Sequence, residues 1–219
     1  MKKKATKRKI SVKKSATRKI KKPKEPKVGK YLNLEYESFC ELSLLFFVEE
    51  MKKYGFIHKV ERSPSYLLSS GVTNTYVERL KRGSKSVDQS IQQGVTYTPD
   101  YDIYFTDKAI GKIIWIMDSG TKYDKKLLVA QAVNVNGVTM YRACNEVKPD
   151  FQRNSTTPKS VQSMKWLYQR HGVFTNLFRP NDIFERLFTP GKYLLTESGG
   201  KRKLKFIPKS IEEYLREKK

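Results

Sequence analysis

Cysteine and histidine are nearly absent from this chain of 219 residues, with two of each. Cys40 and Cys144 lie in apolar segments without metal-ligand spacing, which excludes a zinc site and a disulfide framework and fits a reducing compartment. His58 and His171 have no evident partners, which argues against chemistry that relies on a histidine and leaves each as a surface or packing residue. Long hydrophobic runs are missing too. The longest, 42–48, is interrupted at Ser43 and is far shorter than the roughly 20 residues a membrane helix needs. The N-terminus has neither a hydrophobic signal core nor the apolar stripe of a mitochondrial presequence. These absences predict a soluble, cytoplasmic protein that does not engage a membrane.

Acidic residues are scarce where basic ones are dense. The chain has 45 Lys+Arg against 22 Asp+Glu, a formal charge of +23. Residues 1–30 hold 15 Lys/Arg and a single acid, Glu25, so this stretch alone supplies +14 and the other 189 residues keep +9. Charge of this size destabilises a compact chain unless a polyanion offsets it, and nucleic acid is the commonest polyanion. The plainer alternative is a lysine-rich surface that serves solubility alone.

With almost nothing apolar to bury, residues 1–30 are expected to be a disordered basic tail that tracks phosphates, a solubilising leader or a nuclear-localisation segment. The length suits one good core, with room for a small appendage. Order is predicted to begin near Asn33 as an N-cap. A helix over 34–54 follows, with apolar residues at Leu34, Phe39, Leu42, Leu45, Phe46 and Met51 and a stop at Gly55. Strands are expected at 57–61, 66–69, 95–105, 112–117, 127–135 and 138–147, the last two joined at Asn136-Gly137. Residues 71–94 are polar and read as a flexible loop or small helical insertion that contacts substrate. Thr157-Pro158 opens a helix to Arg170, stopped at Gly172. A strand at 173–178, a short helix at 182–188, a hairpin over 193–196 and 204–207, and a terminal helix at 211–216 complete the chain. This order predicts an α/β (α+β) fold, one central mixed sheet flanked by helices. The core spans 31–180, and 181–219 form a C-terminal appendage.

Three pieces carry candidate chemistry. Glu-x-Lys occurs four times, at Glu25/Lys27, Glu50/Lys52, Glu146/Lys148 and Glu217/Lys219, but only Glu146 and Lys148 end a predicted buried strand. Two residues apart on a strand, their side chains face one way, about 7 Å apart, while Val147 packs behind. In Thr98-Pro99-Asp100 the proline cannot donate to a sheet ladder, so it marks an edge or bulge from which Asp100 is aimed into a cleft. Two carboxylates on neighbouring strands suit Mg²⁺ or Mn²⁺, which prefer oxygen ligands. Such an ion polarises a phosphodiester and lowers the pKa of a bound water, and Lys148 would offset charge on phosphorus. The competing reading is a surface Glu–Lys pair with an unrelated turn aspartate. Asp102 is either a second ligand or an ordinary solvated residue. Glu35, Glu37 and Glu41 compete for a further ligand from the first helix. Phe39 and Leu42, at +4 and +7 from Glu35, favour Glu35. On the later helix Gln162, Lys165 and Trp166 are candidates to reach the cleft and contact nucleic acid, with Trp166 as core and Lys165 as solvated the equal alternative.

Pro99-Asp100 and Glu146-Val147-Lys148, with Glu35 before them, resemble the PD-(D/E)xK nuclease superfamily. The succession LEYESFCEL, YGFIHKVE, YTPDYDIYF and NEVK also resembles small phage-encoded nucleases of that superfamily and phage endonuclease I-type Holliday junction resolvases. The resemblance covers roughly residues 31–180. It implies a restriction-endonuclease-like core, Asp100, Glu146 and Glu35 as metal ligands, and Lys148 as the catalytic lysine. It also implies Mg²⁺-dependent cleavage of DNA, branched in the resolvase case, by a homodimer in the host cytoplasm or nucleoid. Two departures stand out. The gap from Asp100 to Glu146 is long for the family, requiring one or two strands between them, and Pro149 follows Lys148 where glycine is common. Two readings compete with this one. A non-catalytic basic nucleic-acid-binding protein would use the aromatic residues for base stacking. An RNase-H-like resolvase would need three or four clustered acids, for which Asp150, Asp182, Glu185 and Glu197 are the few late candidates.

Overall fold

The computed structural model describes residues 28–150, 158–196 and 198–218. The expected tail disorder, Glu25, Lys27, Thr157, Glu197 and Lys219 lie outside the described residues. Strands β1 (Gly29–Tyr31) and β2 (Leu34–Tyr36) form a small hairpin ahead of helix α1 (Phe39–Lys53). This corrects the helix expected over 34–54. Leu32 and Asn33 have φ of 52° and 64°, the left-handed pair that closes a two-residue hairpin, so Asn33 makes a turn instead of capping a helix. Ser38 is the true N-cap, its hydroxyl accepting from the Glu41 N–H at 3.2 Å. Gly55, at φ +69°, ends the helix as its sequence position implies.

The chain then runs through β3 (Ile57–Arg62), β4 (Tyr66–Ser69), β5 (Val72–Leu80), β6 (Gly83–Gln92), β7 (Val95–Tyr97) and β8 (Tyr101–Phe105). After β9 (Ile114–Ile116), β10 (Leu128–Val135) and β11 (Val138–Val147) come α2 (Pro158–His171), β12 (Thr175–Phe178), α3 (Pro180–Arg186) and α4 (Ile211–Glu217). Six of these strands make the central mixed sheet, in the order β3-β8-β11-β10-β9, with β12 parallel to the second half of β11. The fold is therefore mixed α/β, with a central sheet flanked by helices. β9 and β10 fall between β8 and β11 in sequence, which accounts for the long interval from Asp100 to Glu146.

Three local expectations differ from the structure. The strand expected over 95–105 is two strands, broken at Thr98-Pro99-Asp100, because Pro99 has no N–H for a ladder. Residues 72–92 form a long two-stranded ribbon, β5 with β6, that continues the short β4–β7 pair. The hairpin expected over 193–207 is a 3-10 turn at Gly191–Leu194 and a single bridge from Leu195 to Lys201.

Alternation in the strands sorts the two layers. Tyr101, Ile103 and Phe105 of β8, with Ala143 and Val147 of β11, face α1, which buries Leu44, Leu45, Phe47, Val48 and Met51 on them. Each such side chain contributes about 1.5–3 kcal/mol on burial. Phe47 also stacks on Phe188 at 4.6 Å between ring centres, and Ile183, Phe184, Ile211 and Tyr214 join the same core, so the C-terminal segment packs on α1. On the opposite face Leu167 of α2 and Val173 pack with Cys144 and Leu68. Where β10 and β12 diverge beside β11, the Asn176 side chain fills the gap. Its amide donates to the carbonyls of Val129 and Cys144 at 2.9 and 3.1 Å, and its oxygen accepts from the Val129 N–H at 2.9 Å. At the edge of the sheet, among the described residues, β3 pairs with β8 alone and is bulged between Ile57 and Lys59.

Candidate active site

The break at Pro99 brings Asp100 to the end of β11. Tyr101 pairs with Asn145, so Asp100 stands opposite Glu146. Its backbone N–H donates to the Asn145 carbonyl at 3.0 Å, and its Oδ2 accepts from the Val147 N–H at 2.6 Å. Backbone and carboxylate are thus both fixed against the strand that carries Glu146. Glu146 is buried, accepts from the Tyr97 hydroxyl at 2.9 Å and pairs with Lys148 Nζ at 2.5 Å. Glu146 and Lys148 share a face of the sheet, with Val147 packed into the α1 side. The fold brings Asp100, Glu146 and Lys148 together where β8 and β11 meet.

The electrostatics are those of crowded acids. Burial first, and the Glu146 charge second, push the Asp100 carboxyl up to about 6, with Glu41 adding to the effect while the Val147 N–H and Lys148 oppose it. Burial and then Glu146 also raise Tyr97 far above the ordinary tyrosine range, so it remains a neutral O–H donor.

Glu35 is not on the helix. It lies on β2, its carboxylate exposed and 3.5 Å from Lys30, while its backbone carbonyl accepts from the Tyr101 hydroxyl at 2.6 Å. The helical acid near Asp100 is Glu41, third residue of α1. Its carboxylate accepts from Arg62 Nη2 and Ser38 Oγ, each at 3.1 Å, and from Tyr101 Oη and the Glu37 N–H, each at 3.3 Å. Arg62 lies over the Tyr101 ring at 4.4 Å. A signal for Glu41 was present in Ser38-Phe39-Cys40-Glu41, the Ser-x-x-Glu pattern of a capping box, which fixes the acid at a helix N-terminus. Asp102 is not solvated. It is fully buried, held by Arg142 Nε at 2.8 Å and Ser63 Oγ at 2.8 Å. On α2, Gln162, Lys165 and Trp166 are all exposed, which overturns Trp166 as a core residue. His58 and His171 are exposed and both cysteines are free thiols.

Among the described residues no group of three or more His, Cys, Asp or Glu is placed to hold a metal ion. A two-carboxylate site is nevertheless what a small hard cation uses, since Mg²⁺ keeps several waters and takes its other ligands from substrate phosphates. Asp100 and Glu146 are the residues that would supply such oxygens, with Glu146 Oε2 now held by Tyr97 and Oε1 by Lys148. No helix of the described residues is long and apolar enough to cross a membrane. In comparisons with protein-family models, curated proteins and solved structures, nothing matches this chain.

Proposed function

We propose that this protein is a metal-dependent endonuclease that hydrolyses phosphodiester bonds in DNA. The observation that carries the reading is the partly buried Asp100 carboxylate held on the Val147 N–H beside buried Glu146, whose carboxylate lies 2.5 Å from the Lys148 ammonium. Asp100 and Glu146 would hold Mg²⁺ or Mn²⁺, which supplies Lewis acidity at a phosphoryl oxygen and a bound water of lowered pKa. The chain's own groups set the geometry. Tyr97 fixes Oε2 of Glu146 while Lys148 pairs with Oε1, and the Val147 N–H fixes Oδ2 of Asp100. Lys148 offsets negative charge as the P–O bond to the attacking water forms and the ester P–O bond breaks. The +23 charge of the chain favours a polyanionic substrate. Preference for branched DNA, and a homodimer that makes paired cuts, rest on the family resemblance.

The test is incubation of a four-way junction and a matched linear duplex with Mg²⁺ or EDTA. Wild type should nick in Mg²⁺ only, Asp100→Asn and Glu146→Gln should not nick, and Lys148→Met should lose about 10²–10³-fold in rate. All three variants should still bind the junction. Metal-independent binding without any cutting by wild type would establish a non-catalytic nucleic-acid-binding protein instead.

A further inference from the structure

We propose that the β5–β6 ribbon is a recognition arm that enters the major groove of a B-form DNA duplex beside the cleavage site; the inference rests on the nuclease reading for its purpose but not for its test. The ribbon is registered from Thr73↔Ser90 to Leu80↔Gly83, and every residue of it is exposed except Val87, which is partly buried. Nine residues of strand project about 30 Å, close to one helical turn of DNA. A two-stranded ribbon is one of the two protein elements that the roughly 12 Å major groove admits.

Its side chains suit that groove. Asn74 faces Gln89 across the ribbon, and Thr73 faces Ser90 on the other side, uncharged donors and acceptors of the kind that read base edges. The tip concentrates Arg79, Lys81, Arg82 and Lys85 against one acid, Glu78. Cations at the end of a polar blade match phosphates flanking a groove. The exposed apolar residues are divided along the blade and not gathered at its tip. Tyr76, its cross-strand partner Val87 and Leu80 share one face, Val77 lies on the other and Val72 and Ile91 sit at the base, and two such basic ribbons repel one another. The deep, narrow major groove of A-form RNA excludes side chains, so the arm also favours DNA over RNA.

The ribbon's base is built into the site. β4 is held by Arg170 Nη1 on the Leu68 carbonyl at 3.0 Å and by His171 on the Leu67 carbonyl at 3.0 Å. β7 ends in Tyr97, the donor to Glu146, three residues before Asp100. A duplex gripped by the blade is thereby positioned relative to the two carboxylates.

Fluorescence anisotropy in EDTA, with a DNA duplex of about three helical turns and an RNA duplex of the same sequence, separates this inference from catalysis. The proteins are wild type, Lys81→Glu/Arg82→Glu, Asn74→Ala/Gln89→Ala and a form with residues 73–91 replaced by Asn-Gly. Wild type should prefer DNA. The tip variant should bind DNA at least about tenfold more weakly, with a salt slope lower by about 0.9 for each phosphate it no longer neutralises. The Asn74/Gln89 variant should keep the slope but lose discrimination among duplex sequences. Hydrolysis of bis(p-nitrophenyl) phosphate with Mn²⁺ should be unchanged in the tip variant, and its absence from wild type would count against the nuclease reading alone. Equal DNA affinity and slope in all four proteins, equal affinity for the RNA duplex, or a shortened ribbon that converts a dimer to a monomer would overturn the assignment.

Discussion

Burial and the neighbouring charge of Glu146 leave the Asp100 carboxyl at about 6 in the folded chain against 3.8 ordinarily. The folded state therefore binds this proton more tightly than the unfolded state does. The associated stability is fully present below the ordinary value and is lost as pH rises through about 6. At pH 8 the ionised Asp100 is a liability of up to about 3 kcal/mol. Asp100→Asn, which keeps an acceptor for the Val147 N–H, should be more stable than wild type in urea at pH 8, and its advantage should shrink toward pH 5. Added Mg²⁺ should raise the melting temperature of wild type and leave that of Asp100→Asn unchanged. A variant no more stable than wild type at pH 8 would mean that this carboxylate is not strained by its surroundings.

Among the elements, the sheet depends on a side chain where two strands part. Asn176 satisfies the N–H and carbonyl of Val129 and the carbonyl of Cys144 from a buried position. Asn176→Leu is similar in size but strands three buried backbone groups, so it should cost about 2–4 kcal/mol in urea unfolding with an unchanged m-value. A loss below about 1 kcal/mol would show that water or a backbone shift replaces the amide. Elements that bury a face were legible in the sequence, and those that bury none were not. Strands β10 and β11 and helices α2 and α4 follow their apolar spacing and turn residues closely. The ribbon at 72–92 is unpacked on both sides, so no period-two hydrophobic signal marks it. Asn33 is as suited to a left-handed turn as to a helix cap, and only the pairing of Gly29–Tyr31 with Leu34–Tyr36 decides between them. That ambiguity shifted the helix start and carried the site with it. Glu35 moved to a strand and Glu41 took the helix start, whereas the meeting of Asp100, Glu146 and Lys148 was readable because proline and strand alternation fix side-chain direction by themselves.

For the whole molecule, charge is divided between residues 31–219 and the N-terminal basic stretch, +9 against +14. If residues 1–27 engage phosphates of their own, their deletion should weaken duplex binding and lower the salt slope by about 0.9 for each phosphate released. On the proposed nuclease reading, cleavage of a saturating substrate should be unchanged, because Asp100, Glu146 and Lys148 lie outside that segment. An unaltered slope would mean that residues 1–27 contact no phosphate. The edge of the sheet bears on how copies of the chain can meet. The bulge at Ile57/Lys59, the charges of Lys59, Glu61 and Arg62 and the Pro64 that follows are devices that stop a neighbouring chain from docking its backbone there. Along this border a second copy can meet the chain only through side-chain surfaces, which protects it there from fibre-like growth.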